Sequence, residues 1–134
     1  TPPKVGSLED DGLLTASEIA QLKLDADLVI LSACNTASSD GKPGAEGLSG
    51  LARSFFYAGA RSLLVSHWPV ESESAMKLTT GMFTELAAQP GIGRAEALKR
   101  AQLSLIQDDK NPHFANPFFW APFVVVGEGG IWNP

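Results

Sequence analysis

Two short apolar runs constrain the fold more than anything else in the chain. Leu28-Val-Ile-Leu31 and Ser62-Leu-Leu-Val65 are too brief for helices and carry no alternation of polar and apolar residues. Runs of this kind fit strands buried on both faces, as in a parallel sheet. Between them, Gly47 to Gly59 places Leu48, Leu51, Phe55 and Ala58 at helical spacing, with Gly59 as a left-handed stop. Strand, helix and strand in this order predict a βαβ unit with parallel strands and a right-handed crossover.

The remainder of the chain extends that pattern. Residues 1–12 combine Pro2, Pro3 and Gly6 with Glu9-Asp-Asp-Gly12, a mobile lead-in. Thr15-Ala-Ser-Glu18 is a capping box opening a helix of about two turns, broken by Asp25-Ala-Asp27. Asp25 and Asp27 read as turn and capping residues. A long helix is expected from about Ser72 to Ala88, stopped by Gln89-Pro-Gly91, and another from about Gly93 to Gln107. Asp108 to Pro117 reads as a loop. Phe123-Val-Val-Val126 is the last strand, ended by Gly127. Three strands and three or four helices leave the first strand without a partner on its upstream side. An apolar edge of that kind is an aggregation hazard, so further strands are expected in a longer parent chain or a partner chain.

Composition removes several classes of function. The 134 residues suit one domain. Ten Lys and Arg against fifteen Asp and Glu give a net charge of −5, which opposes a nucleic-acid or anionic-membrane surface. One Cys and two His exclude an internal disulfide and are too few for a typical metal site, so neither metal nor other cofactor is expected. The longest apolar run, Phe118 to Val126, contains Pro122 and falls far short of the ~20 residues that span a bilayer. The expectation is a soluble, cytoplasmic, bacterial protein with a reduced thiol.

In open α/β sheets, functional groups gather beyond the carboxyl ends of the strands. Cys34 follows the first apolar run and His67 follows the second. A thiolate is the reactive form of Cys, and a nearby imidazole lowers its pKa and later acts as an acid. By spacing alone, Cys34 is either a nucleophile or a buried core thiol. Gly44, Gly47 and Gly50 do not form a dinucleotide fingerprint, which needs G-x-G-x-x-G directly after a strand, and Glu46 would repel a phosphate there. His113, between Pro112 and Phe114, reads as a surface residue. Asn35 to Glu46 is a loop longer than the usual ~2–6 residues and could gate a cleft.

Leu28-Val-Ile-Leu-Ser-Ala-Cys-Asn-Thr36 closely resembles the nucleophile segment of CHAT domains, caspase-like cysteine peptidase domains often found behind tetratricopeptide repeats. The resemblance continues through Asp11-Gly-Leu-Leu-Thr-Ala-Ser-Glu-Ile19, Gly47 to Arg61, Trp68-Pro-Val70 and Pro117 to Phe123. It implies a caspase-like three-layer α/β/α sandwich with a mostly parallel sheet and an antiparallel last strand. This chain would supply about the C-terminal half. It also implies that Cys34 is the catalytic cysteine of an endopeptidase acting on a polypeptide.

The family's histidine lies in an upstream His-Gly motif, and no His precedes Cys34 here. The chain is therefore expected to be a partial domain with little activity alone. His67 could serve as a base or line the cleft. Ser66, Trp68, Glu71 and Glu73, at the mouth of the same strand, are candidate substrate-binding residues. The two acids there would favour Arg or Lys before the scissile bond, or Glu73 would simply favour the positive end of the next helix. The expected partners are the substrate and an upstream tetratricopeptide repeat region or partner chain. A homodimer through the exposed sheet edge is a further option. Two other readings stand beside the peptidase: an inactive interaction or scaffold module, and a small thiol enzyme using Cys34 with His67.

Overall fold

The computed structural model describes residues 14–31 and 50–130. Helix α1 (Ala16–Gln21) opens on the expected capping box. The Thr15 hydroxyl accepts from the Glu18 N–H at 3.3 Å, and the Thr15 N–H donates to the Glu18 carboxylate at 2.7 Å. Its one buried side chain, Ile19, fixes it against α2 (Gly50–Tyr57). Helix α2 ends in a Schellman arrangement. Gly59 has φ +100°, its N–H reaches the Phe56 carbonyl, and the Ala60 N–H reaches the Phe55 carbonyl, both at 3.0 Å.

Strands β1 (Val29–Ile30) and β2 (Ser62–Ser66) are parallel, with Val29 opposite Leu63 and Ile30 opposite Leu64. Together with α2 they make the βαβ unit expected from the apolar runs. Strand β3 (Phe123–Gly127) runs antiparallel to β2, with Ser66 opposite Phe123 and Ser62 opposite Gly127. The described sheet is β1-β2-β3, mixed, with one parallel and one antiparallel pair. The antiparallel last strand agrees with the resemblance.

Side-chain alternation along β2 builds two cores. Leu64 faces α3 (Ser72–Ala88) and α4 (Arg94–Ile106), where it joins Leu78, Met82, Ala97, Leu98, Ala101, Leu105, Phe114 and Phe123. Leu63 and Val65 face the other way, towards Ala52, Phe55 and Phe56 of α2. Helices therefore cover both faces of the sheet. β2 is buried along its whole length, whereas β1 is only half-buried, against the expectation of burial on both faces. Among the described residues β1 has a strand on one side only.

The segment read as a loop, Asp108 to Pro117, holds one short turn of helix and runs into a second. A 3₁₀ turn covers Pro112–Ala115, and α5 covers Pro117–Trp120, capped by the Asn116 side chain accepting from the Phe118 N–H. Both start on proline, whose fixed φ suits a first helical position. The lead-in 1–12, Cys34, the loop 35–46, Gly44 and Gly47 lie outside the described residues.

Candidate active site at the carboxyl ends of the parallel strands

The parallel pairing of β1 with β2 gives both strands one carboxyl end. The chain leaves β1 through Leu31, whose N–H donates to the Leu64 carbonyl at 2.9 Å, and Leu31 precedes Cys34 by three positions in the sequence. It leaves β2 through Ser66, which is buried, and His67, which is exposed. The His67 N–H donates to the Pro122 carbonyl at 3.0 Å, holding the exit of β2 beside the entry of β3. Trp68 is half-buried, and its indole N–H donates to the Phe118 carbonyl at 3.2 Å. Phe118 itself is exposed and stacks edge-on against Phe119, with centroids 5.5 Å apart.

The two acids after Trp68-Pro-Val70 have local partners. Glu71 is the N-cap of α3. Its carboxylate accepts from the Glu73 N–H at 2.9 Å and the Ser74 N–H at 2.8 Å, so each oxygen meets one orphan donor of the helix. These backbone bonds, the one from Ser74 first, hold the Glu71 carboxyl below its ordinary pKa. Glu73 lies in the first turn, 3.5 Å from the Lys77 ammonium. Glu73 thus lies where its charge favours the positive end of α3, and Glu71 supplies the cap.

Behind these acids lies an ionic cluster. Lys77 donates to Asp108 at 2.9 Å and stands 4.9 Å from the centroid of the Phe114 ring. The Lys77 hydrogen bond, followed by that of Asn111, lowers the Asp108 pKa to about 2. Lys77 moves upward for the same reason. His113 is exposed, as expected, with its ring 4.2 Å from that of Phe114 and 5.5 Å from that of Phe119.

At the opposite end of the strands, Arg61 forks onto Asp25 at 2.7 Å and Asp27 at 2.8 Å. The acids expected to serve as turn and capping residues are ion-pair partners across the βαβ unit, and Asp25 has φ +41°. The signal was available. Parallel register places the residues just before β1 beside those just before β2, as the Ala26–Ala60 bridge records. Among the described residues, no group of three or more His, Cys, Asp or Glu side chains is placed to hold a metal ion, and no helix is long and apolar enough to cross a membrane.

The structure thus places Ser66, His67, Trp68, Glu71 and Glu73 along one exit segment of β2. Cys34 lies outside the described residues. The chain is 33% identical over 115 residues to tetratricopeptide repeat protein 28 of mouse, and 33% identical over 115 residues to its human counterpart. Each alignment covers 86% of this chain but only 4% of the relative. Both relatives come from mouse and human, so they lend no support to a bacterial source. No solved structure matches the chain. The CHAT domain profile matches residues 3–128, from the lead-in through β3, and the chain belongs to the CHAT domain family.

Proposed function

We propose that this chain carries the nucleophile of a caspase-like cysteine endopeptidase, with Cys34 as that nucleophile. One observation supports the reading: in a CHAT-family chain, β1 and β2 pair in parallel and so share one carboxyl end, where His67 and Trp68 follow β2, and Cys34 follows Leu31 by three positions in the sequence. In the reaction, the Cys34 thiolate attacks the scissile carbonyl carbon, and the oxyanion forms against backbone N–H groups. Collapse expels the amine, which takes its proton from an imidazolium. Water then hydrolyses the thioester, releasing the acid and restoring the thiol. By the family resemblance, the imidazole belongs to an upstream His. His67 is the secondary candidate, because it is exposed at the same strand end. Ser66, Trp68, Glu71 and Glu73 flank the proposed cleft. The parent protein is cytoplasmic, and its upstream repeat region, or a second copy pairing edge to edge, covers β1.

The test is labelling by a peptide-based thiol-directed inhibitor, applied to a longer parent chain that includes the upstream His-Gly segment. Labelling should occur at Cys34, vanish in Cys34→Ala, and fall strongly when the upstream His is replaced. His67→Ala should change it only modestly. Labelling that depends on His67 and not on the upstream segment would favour the small thiol enzyme.

A second reading draws on the printed name of the two relatives, which is that of a repeat protein. A CHAT fold can outlast its chemistry and serve as an interaction module. Absence of any Cys34 labelling or cleavage in the parent chain, across varied basic, acidic and apolar peptides, would select this reading.

A further inference from the structure

A cleft of about 550 Å³ lies at the entry end of β1, away from the end that leads to Cys34. Leu28, Phe83, Leu86 and Ile92 give it apolar walls, and Arg94 and Asp27 supply its charged groups. Arg94 is the unusual member, because a guanidinium is rarely buried without full pairing. Its side chain is only 8% exposed. Its Nη1–H donates to the Glu128 carbonyl at 3.2 Å. Its Nη2 has Asp27 at 3.6 Å, beyond hydrogen-bond reach. Asp27 is already held at 2.8 Å by Arg61, which takes Asp25 as well. Two carboxylates thus serve Arg61 closely, and only Asp27 stands near Arg94. No fully buried side-chain nitrogen among the described residues lacks a partner, and Arg94 lines the cleft. The N-terminal end of α4 is closed by the 129–130 backbone, with the Ala95 N–H donating to the Gly129 carbonyl at 2.9 Å, so Arg94 is the group that α4 brings to the wall.

We infer that this cleft binds a small apolar monocarboxylate, aliphatic or aromatic. The carboxylate would meet the fork of Arg94, which presents parallel N–H groups to two oxygens. The hydrocarbon body would lie against Leu28, Phe83, Leu86 and Ile92. Asp27 at the wall disfavours a doubly charged phosphate. The size falls within the range of about 300–1,000 Å³ usual for small-molecule sites. The site is independent of the peptidase reading, since it uses neither Cys34 nor the residues at the exit of β2.

Octanoate and its neutral analogue octanamide test this in the purified chain, by calorimetric titration and by mapping amide chemical-shift changes. Octanoate should bind saturably, with changes centred on Leu28, Leu86 and Arg94. Octanamide should bind at least tenfold more weakly. Arg94→Gln should reduce octanoate affinity at least tenfold. Ala87→Trp, which fills the cleft from an exposed position on its wall, should abolish binding while leaving the circular dichroism spectrum unchanged. Equal affinity for acid and amide, binding that survives Ala87→Trp, or no saturable binding by the folded wild-type chain would overturn the assignment.

Discussion

The indole N–H of Trp68 donates to the carbonyl of Phe118 across fifty positions of sequence, at 3.2 Å. This bond ties the exit of β2 to α5, just before the chain turns through Pro122 into β3. Trp68→Phe keeps an aromatic ring and removes the donor. The variant should lose about 0.5–1.5 kcal/mol in urea unfolding, the usual net worth of one hydrogen bond. If Trp68 also lines a peptide cleft, inhibitor labelling in the parent chain should slow more for Trp68→Ala than the stability loss explains.

Glu71 separates a structural role from a specificity role. Both carboxylate oxygens accept from the first turn of α3. Glu71→Ala should therefore lower the melting temperature by a few degrees, whereas Glu71→Asp and Glu71→Asn should recover part of the loss, because short side-chain acceptors also cap helices. A carboxylate committed in this way is a poor partner for a basic substrate residue. Glu73→Gln consequently becomes the sharper probe of a preference for Arg or Lys in the parent chain.

Asp108 predicts the acid limb of stability. Its pKa is lowered from 3.8 to about 2, chiefly by the Lys77 hydrogen bond. A carboxyl depressed in the folded state stabilises the protein above its unfolded pKa and loses that contribution as pH falls through the folded value. Stability should thus decline between about pH 4 and pH 2. Asp108→Asn should be less stable at pH 7 and show a shallower decline over that window, measured by denaturant unfolding at each pH.

How far the sequence could be read depended on whether a feature was local. Helix α3 was legible to the residue, since its apolar periodicity is unbroken until Gln89-Pro-Gly91 ends it. The Gly59 stop and the Thr15 capping box were legible for the same reason. Pro112 to Trp120 was not, because two four-residue turns contain too little periodicity to stand out from a loop. The Asp27–Arg61–Arg94 grouping was not read either, as it joins three elements and needs the register of β1 on β2. The nucleophile itself was found through the family pattern around Cys34, since a lone Cys after a strand also fits a core thiol.

Gly127 closes β3 in a conformation that other residues adopt at a cost. Its φ is +95°, and a Cβ built there would lie 2.6 Å from the Arg61 carbonyl oxygen and 2.9 Å from the Phe56 ring. That same carbonyl accepts from the Glu128 N–H at 3.0 Å, so it cannot retreat without breaking the bond that ends the sheet. Gly127→Ala should destabilise the protein by more than about 1 kcal/mol, exceeding the few tenths gained when alanine stiffens the unfolded chain. Gly91 provides the contrast, because a Cβ there meets nothing within 4 Å and its φ is not positive. Gly91→Ala should be neutral or slightly stabilising. Equal effects of the two substitutions in denaturant unfolding would mean that the β3 terminus relaxes freely, and would contradict the rigid coupling of Arg61 to the end of the sheet.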